Sequence, residues 1–200
     1  MPNEIEFTGA PNDFDFLVGH WTVYHRRLKA RLAGSTEWEE FAGTSTLWKT
    51  LGGLGTVDDN VLELPGGTYR ALTIRAFNPD TRQWSIWWLD ARHPDIEPPV
   101  RGGFKDGVGT FVGDDVFNGR PIKVRFRWSQ ITPASAHWDQ AFSPDGGAPQ
   151  EAVAYVPEKD LVMLIVLSSK TAQGFQQALP AYRDLIGNYA WVGTNKEFGR

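Results

Sequence analysis

The sequence predicts an all-β protein, an antiparallel barrel of about ten strands with one C-terminal α-helix. Three observations predict it. Turn signals recur at short intervals, at Gly34-Ser35, Gly52-Gly53, Pro65-Gly66-Gly67, Asn78-Pro79-Asp80, Asn118-Gly119 and Pro144-Asp145-Gly146-Gly147. The segments between them are rich in β-branched and aromatic residues and show almost no helical period before about residue 168. A single helical stripe then appears, made of Phe175, Leu179, Tyr182, Leu185 and Ile186. Closure into a ring is the simplest way to hide so many strand edges.

Strands are expected near residues 20–31, 36–49, 55–64, 68–77, 82–91, 100–105, 108–117, 121–131, 135–142, 151–156 and 160–167. In the first, period-two alternation puts Trp21, Val23, His25 and Arg27 on one face. The strand around 84–90 is apolar on both sides: Trp84, Ile86 and Trp88 face one way, Trp87 and Leu89 the other. Its outer side therefore needs a cover. Residues 122–130 set Ile122, Val124, Phe126 and Trp128 against Lys123, Arg125 and Arg127, a half-buried strand with a solvated face. In the next strand Trp138, Gln140 and Phe142 share one face, while His137 and Asp139 share the other, read as solvent-exposed. Residues 161–167 are continuously apolar and would template aggregation if left as an open edge. They are expected to pair within the chain; the alternative is a homodimer formed across that strand. Residues 171–186 read as a helix with Thr171 as N-cap, a kink at Pro180 and a stop at Gly187, followed by a short strand at 189–192. That helix is the expected cover for Trp87 and Leu89.

At 200 residues the chain suits a single domain, residues 1–200, with 1–147 as barrel body and 148–200 as strands plus helix or an appendage. The net charge is −4 and neither half is basic, which excludes the electrostatic footprint of a nucleic-acid binder. There are 0 cysteines, which excludes disulfides, cysteine-ligated zinc and thiol catalysis. The first residues lack the long apolar stretch of a signal peptide, and the apolar run from Leu161 to Leu167 falls far short of the ~18 residues of a membrane span. A cytoplasmic protein without a membrane span, monomeric or homodimeric, is the expectation.

The stretch Phe14-Asp15-Phe16-Leu17-Val18-Gly19-His20-Trp21 places Gly-x-Trp at the opening of the first long strand. This resembles the calycin barrels: lipocalins, fatty-acid-binding proteins and the nitrobindin-like group. The resemblance implies that Gly19 lets the chain turn tightly under the barrel and that Trp21 plugs its closed end. Over residues 13–147 the chain resembles a bacterial family of the same barrel type, through Phe16 to Trp21, His25-Arg26-Arg27-Leu28, the Trp84 to Trp88 strand, and Phe142 to Gly147. That family runs from its Ser-Pro-Asp-Gly-Gly turn directly into a last strand ending in arginine; residues 148–200 depart from this. The nitrobindin-like side of the resemblance implies haem, held by one histidine, as an alternative cofactor; otherwise none is expected.

Catalytic signatures are scarce. Gly43-Thr44-Ser45-Thr46-Leu47 lacks the second glycine of a nucleophile elbow, and Gly102 to Gly107 is followed by Val108 rather than Lys-Ser/Thr. The leading expectation is therefore a binding barrel for a small hydrophobic or aromatic molecule with a polar or acidic head group. Trp88, Phe126, Trp128 and Trp138 would form its wall, with Gln140 beside them. His25, Arg75, Arg101 and Arg127 would orient the head group. Asp90, on the face of Trp84 and Trp88, would be a buried acid paired with Arg75, Arg101 or Arg127. The alternative is an isomerase, cyclase or hydro-lyase, with His25 as general acid/base and Asp90 or Asp58 as its partner.

Overall fold

The computed structural model describes residues 9–143 with their side chains and the backbone of residues 161–169. Residues 10–18 cross one end of the molecule and carry a 3-10 turn at Asp15–Leu17. Nine antiparallel strands follow in a continuous curled sheet, each hydrogen-bonded to the next. They are β1 (Gly19–Leu28), β2 (Trp38–Thr50), β3 (Gly55–Leu64), β4 (Gly67–Asn78) and β5 (Gln83–Asp90). The ring continues through β6 (Val100–Lys105), β7 (Val108–Phe117), β8 (Arg120–Ser129) and β9 (Ser135–Ser143). A tenth strand, β10 (Leu161–Ser169), pairs antiparallel with both β9 and β1 and closes the barrel. The apolar run thus pairs within the chain along both its edges, which leaves neither open to a second molecule. The strand expected at 151–156, the helix at 171–186 and the strand at 189–192 lie outside the described residues.

The strand bounds match the turn chemistry closely, with one consequential difference. The first strand stops at Leu28, where Lys29 N–H bonds Glu37 O across the start of a loop. Arg31 therefore lies in that loop and not on β1.

Antiparallel up-and-down order puts alternate connections at opposite ends. The β2–β3, β4–β5 and β6–β7 turns share the end crossed by residues 10–18, and that end is packed shut. Phe14 is fully buried there and meets Trp84, Phe104 and Trp128 edge-on at centroid distances of 5.0, 5.1 and 5.3 Å. Such pairs contribute about 0.5–1.5 kcal/mol each beyond the area they bury. Gly19 enters β1 with φ of +112°, a conformation that costs any other residue, and this bend brings Trp21 inward to donate its indole N–H to Leu17 O at 2.5 Å. The loops at 29–37 and 91–99 lie at the other end, which is open.

Candidate functional site

Between plug and mouth the barrel holds a cavity of about 580 Å³, within the ~300–1,000 Å³ range of small-molecule sites. On β1, Trp21, Val23, His25 and Arg27 all line it, so the alternation carries the wall from floor to rim. Six residues at ~3.3 Å each, on a strand tilted by ~40°, make the cavity about 15 Å deep. Trp88, Phe126, Trp128, Trp138 and Gln140 form part of the wall. Trp128 and Trp138 are cross-strand partners on β8 and β9, with centroids 5.9 Å apart, and Phe126 packs edge-on to Trp138 at 5.1 Å.

Near the floor lies a buried ion pair. Asp58 and Arg75 are 3% and 4% exposed and 2.6 Å apart. Asp58 also accepts from Thr73 N–H at 3.0 Å and from Asn60 Nδ2. The Arg75 guanidinium stands over the rings of Phe14 and Trp128 at 5.1 and 5.7 Å. The charge of Arg75 is thus met from below by its own carboxylate. Asp58 is committed to that pair, which removes it as a partner for His25.

His25 sits half-way up the wall. Its ring lies flat on Phe41, centroids 4.5 Å apart and 8° from parallel. Gly43 makes the room: a Cβ there would stand 2.4 Å from Val61 O and 2.9 Å from His25 Cε1. Burial lowers the His25 pKa to about 4; the Phe41 backbone opposes that shift and Arg27 adds to it. His25 is therefore a neutral imidazole at pH 7, not a cation for an acidic group nor a general acid/base tuned to neutrality. His93 is exposed at the rim, in a backbone bridge with Asp90.

Other expected site residues need correction. Asp90 is at the mouth, and its partner is Arg92, not Arg75, Arg101 or Arg127: Arg92 Nε donates to Asp90 Oδ1 at 2.9 Å. Burial raises the Asp90 pKa, but the Arg92 hydrogen bonds outweigh it and hold the carboxyl below its usual range. Arg101 is exposed on the outer face, one residue out of phase with Val100 and Gly102. Arg127 also points outward, as its alternation with Phe126 and Trp128 requires, and donates to Asp139 Oδ2 at 2.9 Å. His137 is not solvent-exposed: it is 1% exposed, with Ser129 Oγ 3.1 Å from its Nδ1, and desolvation lowers its pKa to about 4. Asp139 beside it is fully buried and takes Arg125 as well, at 3.0 Å. These polar residues alternate as a solvated face would, and only pairing made their burial affordable. Neither carboxylate proposed for catalysis is hydrogen-bonded to His25 among the described residues.

Three residues that matter to the mouth, Arg31, Tyr69 and Arg92, were not singled out from the sequence. Arg31 and Arg92 lie in loops, where no periodicity marks direction. Tyr69 sits at the start of β4, and Arg92 Cζ lies 3.6 Å from its ring centroid.

Among the described residues, no cluster of three or more histidines and acids forms a metal site, and no helix is long and apolar enough to cross a membrane. No protein-family model and no curated protein matches the chain. Solved structures of loose resemblance include the following two. The structure of EF1p2_mFAP2b bound to DFHBI has a TM-score of 0.41 and 9% identity, covering 80% of this chain and 98% of that one. The S-type phycobiliprotein lyase CPES from Guillardia theta has a TM-score of 0.44 and 11% identity, covering 78% and 88%.

Proposed function

We propose that the barrel binds one small, largely apolar molecule bearing a polar or acidic group in its interior. The observation that carries this reading is a cavity of about 580 Å³, closed at one end and walled largely by aromatic rings. The aromatic wall of Trp88, Phe126, Trp128 and Trp138 suits a flat or lipophilic body. Burying ~300 Å² of that body contributes roughly 7 kcal/mol before association costs, so affinities no tighter than about micromolar are expected.

Because three of those wall residues are tryptophans, occupancy is readable without a label. Titration with fatty acids, retinoids and aromatic acids is expected to give saturable quenching at one molecule per chain. A folded protein whose emission responds to none of them would overturn the reading.

A further inference from the structure

The barrel mouth carries three arginines, and they are not equivalent. Arg27 Nε donates to Glu39 at 2.8 Å, and Arg92 is held by Asp90. Arg31 has no ion pair among the described residues. Its guanidinium stands 5.9 Å from the ring of Phe142, a cavity residue, and Arg31 itself lines the cavity. Arg31 is exposed, and its electrostatic neighbours are Arg27, Arg92, Tyr69 and Asp115. Of the nearby acids, Asp90 is engaged by Arg92 and Asp114 by Lys123, while Asp95 and Glu97 are exposed. Arg31 is thus an exposed cation beside two like charges at the lip of an apolar well, its guanidinium 5.9 Å from an aromatic ring. A guanidinium in that position offers a forked set of donors to a carboxylate or other oxyanion.

We propose that Arg31 is the anchor for the acidic group of the ligand, so that the molecule enters body first and leaves its oxyanion at the mouth, flanked by Arg27, Arg92 and Tyr69. This rests on the binding-barrel reading above, and it moves the anion site away from the floor, where Asp58 already neutralises Arg75. The ligand class it specifies is a monoanionic amphiphile whose apolar part fits a well about 15 Å deep.

A matched pair of probes separates the two ideas. 1-Anilinonaphthalene-8-sulfonate and N-phenyl-1-naphthylamine share an aromatic body and differ by the sulfonate. Each is titrated against the full chain, following energy transfer from tryptophan to the probe. The sulfonate is expected to bind about fivefold more tightly, equivalent to roughly 1 kcal/mol. R31Q is expected to abolish that preference, so that the two probes bind with equal Kd. R101Q, the same charge change on the outer face, is expected to retain it, and added salt to shrink it. A sulfonate that binds no tighter than the neutral probe, or a preference that survives R31Q or is lost equally in R101Q, overturns the anchor while leaving the binding barrel standing. Failure of both probes to bind at one per chain overturns both.

Discussion

The two buried histidines make the barrel acid-sensitive in a defined window. Each has a folded-state pKa of about 4, against 6.5 for the free side chain. The unfolded chain therefore takes up these protons first. Stability is fully present above the unfolded value and is lost as pH falls from there toward the folded value. Between pH 7 and pH 5 the linkage costs about 2 kcal/mol per histidine and about 4 kcal/mol for the two. That is a large part of the ~5–15 kcal/mol that holds a typical domain. Asp90, whose carboxyl is held below its usual range, titrates under this window and leaves it clean. The assay is urea unfolding at pH 7.0 and 5.0, followed by tryptophan emission, on the wild type and on H25Q. The wild type is expected to lose about 4 kcal/mol between the two pH values and H25Q about 2. The comparison is of pH differences, so a fixed cost of the substitution cancels. A wild type equally stable at both pH values, or an H25Q that falls as far as the wild type, would refute the reasoning.

Four further outcomes follow from particular contacts. D58A strands the Arg75 guanidinium beneath the cavity and is expected to cost about 3–5 kcal/mol in chemical denaturation, with much of that recovered in D58A/R75M. G43A forces a methyl group toward Val61 O and the His25 ring and is expected to destabilise by about 1–3 kcal/mol; H25A in that background should restore only part, because the clash with backbone remains. W138F removes a buried indole N–H that has no partner among the described residues and is expected to change the stability of the free protein by less than about 1 kcal/mol in chemical denaturation. Truncation after Gly147 removes β10 and opens the edges of β1 and β9, so loss of solubility or of cooperative unfolding is expected by sedimentation and melting; a soluble, cooperative fragment would show the barrel to be complete without it.

Local chemistry alone determined much of this protein. Turn residues such as Asn118-Gly119 set where strands end, and period-two alternation decided which way Trp21, His25, Phe126, Trp128 and Trp138 point, because a strand's side chains have only two directions. The same rule placed Arg101 and Arg127 outside; assigning them to the ligand ran against their own alternation. What a strand's pattern does not contain is what stands against each face. His137 and Asp139 read as a solvated face and are buried, since the ion pairs that make burial tolerable come from β8, a different strand. Asp58 read as a catalytic partner for His25 and Asp90 as a buried acid paired with Arg75, Arg101 or Arg127, yet Asp58 is held by Arg75, seventeen residues away, and Asp90 by Arg92, two residues away. The depressed pKa of His25 comes from its burial against β2, and the position of Arg31 from a loop that the strand pattern overran by three residues. Direction is a property of the backbone and is written locally. Partnership, desolvation and the cavity arise only when the ring closes and brings distant strands within hydrogen-bonding reach.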